Sequence, residues 1–226
     1  MRFLKRIMVV ASLSLLAGSA AASPTAPRSG AEYTTLAKPQ ATDSGKKVEV
    51  IEFFGYFCHH CYAIDPALNK WVAAQGDKIA FKRVHVLFDP RMASMQRAYV
   101  TLDMMKNAEA VHGKIFEGMH KFKLRLDKPD LMTLFLTKVG IDQKKYLDMY
   151  KSFSVQTRMR RNEQLLNAYA IESVPQIVVD GRYVTSPDHL RKSLGGKPGT
   201  EELHAATMQV LDALVAKAAK ARAGAK

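Results

Sequence analysis

One stretch decides the reading of this chain: Val48-Glu49-Val50-Ile51-Glu52-Phe53-Phe54-Gly55-Tyr56-Phe57-Cys58-His59-His60-Cys61-Tyr62. Val48 to Phe54 is a short run of β-branched and aromatic residues, the length and composition of a strand. An acid inside such a run is unusual, which singles out Glu52. A helix is expected from near Cys58 towards Gln75, ending on Gly76 as a C-terminal cap, with Pro66 placed to kink it. Ile79 to Phe88 reads as a second strand. Strand, helix and strand in this order make a βαβ unit with a parallel pair.

Working outward, the pattern changes after the second strand. Met92, Met95, Tyr99, Leu102 and Met105 recur at helical spacing and read as core packing. Asp127-Lys128-Pro129-Asp130 is a helix start and Gly140 a stop, while Asp142 and Ser154 are N-caps for two further helices. Residues 90–161 therefore read as all-helical. Strand character returns at Gln176 to Val179. Asp180-Gly181 is a hairpin signal, and Arg182-Tyr183-Val184 is the return strand. After the break at Gly195-Gly196, Glu201 and Glu202 open a last helix with Leu203, Thr207, Val210, Leu211 and Leu214 on one face. The basic segment 217–226 is expected to fray. The fold class is α/β at both ends, with a helical block inserted between.

The 226 residues are 47% hydrophobic and 24% charged, which excludes disordered, collagen-like and coiled-coil chains. At the N-terminus, basic Arg2, Lys5 and Arg6, the apolar run Ile7 to Ala17 and the small residues Ala20 to Ala22 form a secretory signal peptide over residues 1–22. The apolar run is about half of what a bilayer needs. Its removal lowers the formal charge from +13 to +10. The mature chain is expected in an oxidising compartment, a bacterial periplasm or its equivalent. Residues 23–47, rich in Ala, Ser, Pro and Thr, read as an N-terminal leader. Lys and Arg are scattered and no nucleic-acid motif accompanies them, so no nucleic-acid partner is expected.

The only two cysteines, Cys58 and Cys61, sit where the first strand meets the helix. A structural disulfide three residues apart would close a tiny loop and remove little entropy from the unfolded chain. A metal site would need Cys58, His59, His60 and Cys61 to converge, but consecutive residues at a helix start diverge, and two cysteines are half a site. A redox dithiol fits the position better. Cys58 would face unpaired N–H groups and the positive end of the helix dipole, both of which favour a thiolate. His59 and His60 can add hydrogen bonds or charge. Cys61, one turn on, is placed to resolve a mixed disulfide.

In these residues, in Val84-His85-Val86 and in Ser173-Val174-Pro175-Gln176, the chain resembles the thioredoxin superfamily, and within it the DsbA-type thiol:disulfide interchange proteins of the bacterial periplasm. The resemblance runs from about Tyr33 to Leu214. It implies a thioredoxin fold discontinuous over 48–89 and 162–216, with 90–161 as the inserted helical domain. It implies a redox-active Cys58–Cys61 disulfide, with Cys58 as nucleophile and Cys61 as resolving cysteine. Pro175 would be cis, with Val174 beside the dithiol and open to a substrate strand. Glu52 corresponds to an acid beneath the active site, and Arg83 falls where relatives can carry its basic partner. His60 matches the common family residue, whereas His59 stands where relatives commonly have Pro. His59, His60 and Glu52 are therefore expected to tune redox poise. The remaining histidines, His85, His112, His120, His189 and His204, are expected in surface or packing roles.

The resulting expectation is a monomeric periplasmic dithiol oxidase that donates its disulfide to newly exported cysteine-containing proteins. A membrane reoxidase of the DsbB type would then renew it. No metal and no organic cofactor are implied. The substrate surface is expected to be an apolar groove near Val174-Pro175. The main alternative is a disulfide isomerase or reductase kept reduced. Relatives of that kind carry an N-terminal dimerisation domain, for which the leader is too short. A glutathione-dependent isomerase would use a single active-site Ser or Cys, and a pure holdase would not need Cys58 at all.

Overall fold

A computed structural model describes residues 23–224. The expected signal peptide lies outside the described residues. Five strands form one mixed sheet in the order β1-β5-β4-β2-β3. β1 is Thr34–Thr35, β2 Val48–Phe54, β3 Ile79–His85, β4 Gln176–Val179 and β5 Tyr183–Thr185. β2 and β3 are parallel, as the βαβ reading requires, and the other pairs are antiparallel. α1, His59–Gln75, is the crossover and ends on Gly76 at φ 52°. Between β3 and β4 stand α2 (Ala93–Met104), α3 (Ala108–His120), α4 (Pro129–Lys138), α5 (Gln143–Tyr150) and α6 (Phe153–Ala168). α7 (Pro187–Leu194) and α8 (Thr200–Gly224) follow the sheet.

Every residue of β2 is buried, which makes it the central strand and explains its near-continuous apolar run. Its alternation divides the core. Val48 and Val50 pack with Leu68 and Trp71 of α1 and with Val210, Leu211 and Leu214 of α8. Ile51 and Phe53 face the other way, onto Tyr169, Ile171 and Val184. Phe54, at the end of β2, passes into the helical block and packs with Met95, Tyr99, Leu102 and Phe116. The C-terminal end of the central strand is thus the point where sheet domain and helical block share one core.

Several boundaries differ from the sequence reading. β3 stops at His85 rather than Phe88, because Asp89 caps a tight turn over Pro90–Met92 and turns the chain away. α6 begins two residues earlier than Ser154 implies. Ser152 is the cap, its hydroxyl accepting from the Val155 N–H at 3.2 Å. The same helix runs to Ala168, straight through the 161/162 division. The leader is part of the fold, since Thr34–Thr35 pair with β5 and Tyr33 is buried. The tail does not fray at Ala216. α8 continues to Gly224, Ala218 is buried, and Lys217 donates to the Tyr33 hydroxyl at 2.7 Å. Arg222 then binds Asp180 at 2.6 Å, the Gly45 carbonyl at 2.8 Å and the Thr42 hydroxyl at 2.7 Å. The Asp180-Gly181 hairpin forms as read, with both residues at positive φ. Gly181 also lies so close to the Gln40 carbonyl that any side chain would collide with it.

Candidate active site

Cys58 is the N-cap of α1, with extended backbone (φ −85°, ψ 114°). Its own N–H is held by the Gly55 carbonyl at 2.9 Å. This frees the sulfur to do what Ser or Asp does at other caps, and Sγ accepts from the Cys61 N–H at 3.1 Å. Both cysteines are free thiols here, Cys58 partly exposed and Cys61 buried. The Cys58 thiol lies 3.5 Å from the Val174 carbonyl, which it donates to. The Val174–Pro175 bond is cis, as the resemblance implies.

The two thiols are electrostatically unequal. Hydrogen bonding from the Cys61 side chain, with the backbone N–H groups of Cys61 and His60, pulls the Cys58 thiol below its ordinary pKa against the opposing effect of burial. Burial first, then the neighbouring Cys58, pushes Cys61 far up. Cys58 is therefore the more acidic thiol and the better leaving group, and Cys61 the one that keeps its proton.

Glu52 is fully buried, so it does not face a sheet edge. It lies directly opposite Arg83 in the parallel β2–β3 register, and Arg83 Nε donates to Glu52 Oε2 at 2.7 Å. Arg83 also reaches Glu109 at 2.6 Å, Asn69 at 2.5 Å and Asp65 at 3.4 Å. The expected pair is thus one edge of a larger cluster that runs from buried Glu52 and Asp65 out to the exposed Glu109. Burial raises the Glu52 carboxyl and Arg83 opposes that rise, while Oε1 keeps no hydrogen-bond partner. Glu52 also acts on the resolving thiol through its charge, adding to the rise of Cys61.

Sequence reasoning missed three histidines that converge on Tyr56, two residues before Cys58. The Tyr56 N–H donates to His85 Nε2 at 3.1 Å, its hydroxyl lies 3.2 Å from His112 Nδ1, and its carbonyl lies 2.8 Å from His120 Nε2. His85 cannot be an acceptor there if protonated, and burial drives its pKa down to about 3. His120 also stacks on Tyr62, ring centroids 5.1 Å apart. One signal was available: His112, Phe116 and His120 recur every four residues on one face of α3. His189 and His204 stand apart from this group, and His204 lines a cavity with His59 and His60.

His59 and His60 are exposed, and neither imidazole hydrogen-bonds Cys58 among the described residues. The contribution of His60 to the thiol is its backbone N–H. Both rings instead line a cavity of about 230 Å³ shared with Val174, Pro175 and the starts of α7 and α8. The surface at Val174-Pro175 is therefore mixed rather than apolar. A more apolar depression of about 780 Å³ adjoins Phe57, where Met92, Met95, Met119 and Leu124 line it together with His120, Asp127 and the basic Arg91, Lys123, Arg125 and Lys128. Among the described residues no group of His, Cys, Asp and Glu is arranged to hold a metal ion.

A dithiol with one thiol acidified and the other locked in protonated form performs one kind of chemistry, thiol–disulfide exchange, and this chain is a thiol:disulfide oxidoreductase. Residues 49–195 match the DSBA-like thioredoxin domain family, and the chain belongs to it. A thiol:disulfide interchange protein DsbA from Burkholderia cepacia is 40% identical over 205 residues, 90% of this chain and 92% of that protein. The namesake from Pseudomonas aeruginosa is 33% identical over 83% of this chain and 84% of its own length. The crystal structure of Pseudomonas aeruginosa DsbA superposes with a TM-score of 0.75 at 31% identity, covering 87% of this chain and 96% of that one. Reduced DsbA1 from Neisseria meningitidis gives 0.71 at 26% identity, covering 87% and 97%.

Proposed function

We propose that the chain is a monomeric periplasmic dithiol oxidase that passes the Cys58–Cys61 disulfide to newly exported proteins. The observation that carries this reading is the inequality of the two thiols. In the oxidised protein a client thiolate attacks the Cys58 sulfur. The Cys58–Cys61 bond breaks, and Cys61 leaves with the electron pair and takes a proton. A second client thiolate then attacks the client sulfur of the mixed disulfide. Cys58 departs as its stabilised thiolate. Two client thiols have become a disulfide, and the pair of electrons rests on Cys58 and Cys61. A membrane reoxidase of the DsbB type removes them. No described helix is long and apolar enough to cross a membrane.

The deciding experiment is the cellular redox state of the two cysteines, read by acid trapping and alkylation. A pool held mainly as disulfide is expected of an oxidase. A pool held mainly as dithiol would replace this reading by the isomerase or reductase.

A further inference from the structure

Two unlike surfaces adjoin the dithiol, one lined by Phe57 and the other by His59 and His60. On the side of the helical block lies the methionine-lined groove. On the other lies the smaller cavity, walled by His59 and His60 of α1, by Arg191 of α7 and by His204 of α8. The charged side chains lining this cavity are Arg191 and Asp188. They are loosely associated, 3.6 Å apart, with side chains 48% and 71% exposed. An ion pair so exposed is worth little and yields to a better partner. The guanidinium offers five N–H donors in a fixed fork, and each imidazole offers at least one more. Apart from the Asp188 carboxylate, which is exposed and turned to Arg191, the polar lining is made of donors and matches a carboxylate, which only accepts.

We propose that this cavity is a client subsite that takes an acidic side chain close to the client's reacting cysteine, with Arg191 as its specificity-determining residue. The proposal rests on the oxidase reading above. A client strand laid along Val174 places its cysteine at Cys58, 3.5 Å from the Val174 carbonyl. With about 3.3 Å of rise per strand residue, the neighbouring one or two positions reach the cavity mouth. The opposite side of the same strand meets the methionines. A client would then be read by unlike chemistry on its two flanks, which also fixes the direction in which it lies.

The test uses dithiol peptides with Glu, Gln or Lys placed in turn at each of the two positions on either side of the reacting cysteine. They are oxidised by the wild-type protein and by its Arg191→Gln and Arg191→Glu variants. Arg191 is exposed, so both variants should fold. At one flanking position the wild type should favour Glu over Lys in kcat/KM by about two- to fivefold. Arg191→Gln should erase that preference and Arg191→Glu should reverse it. A preference of equal size at every position would reflect only general attraction to a cationic protein, and would overturn the subsite. So would a preference that survives both variants. If the wild type oxidises none of the peptides, the oxidase reading itself falls, a result distinct from oxidation without discrimination.

Discussion

At the scale of single residues, the chemistry follows from what each sulfur touches. Cys58 is partly open and held by backbone N–H groups, while Cys61 is buried. Cys61→Ser should therefore accumulate mixed disulfides with clients on non-reducing gels, and Cys58→Ser should not; equal trapping by both would contradict the division of labour. The same inequality gives reduced and oxidised protein different pH responses. Cys58 titrates below its unfolded value, so the reduced form gains stability as pH rises from the folded pKa to the ordinary thiol value of about 8.5. Above that value the gain is complete. Cys61 titrates above its unfolded value, so its ionisation in the unfolded chain then works against the reduced form. Melting curves should show the reduced-minus-oxidised gap widening as pH rises towards about 8 and shrinking again beyond about 9. A gap that ignores pH would mean that Cys58 is not held as a thiolate.

At the scale of elements, the β2–β3 register sets Glu52 beside Arg83, and Asp65, Asn69 and Glu109 are gathered by the same guanidinium. Removing it strands buried carboxylates. Arg83→Met should cost about 3–5 kcal/mol in urea unfolding at pH 8. Burial already raises Glu52, and a raised acid costs stability only above its unfolded pKa, so the loss should shrink towards pH 4–5. Adding Glu52→Gln should recover part of it, because the two residues touch. An equal loss at both pH values would show that the arginine acts by packing alone. These elements also show what a sequence discloses. Cys58 as a cap, Gly76 as a stop and Asp180-Gly181 as a hairpin rest on neighbours in the chain, and all were legible. Ser152 and Ser154 are equally good caps locally, and packing of Val155 into the core chose between them. The grip of His85, His112 and His120 on Tyr56 joins residues 29 to 64 positions apart, beyond what local pattern carries.

At the scale of the whole molecule, the last helix is a clasp rather than a tail. Its charged residues read as solvated because their partners, Tyr33, Thr42 and Asp180, lie far away in sequence. A variant ending at Ala216 should lose about 2–4 kcal/mol, from several charge-assisted bonds and the burial of Ala218. It should also lose amide-exchange protection in β1 and β5, while α2 to α6 keep theirs. Unchanged protection at Thr34, Thr35 and Val184 would show that the clasp is dispensable.

The separation of 116 positions from Cys58 to Val174 also imposes an order of events on a chain that emerges N-terminus first. The catalytic cysteines appear just after β2, whereas the segment that covers them arrives only after all five helices of the insertion. Until then the sulfurs have no Val174 carbonyl beside them, and β2 has only β3 as a partner. A newborn copy is for that interval an unfolded cysteine-containing polypeptide, of the very kind that its finished siblings are built to oxidise.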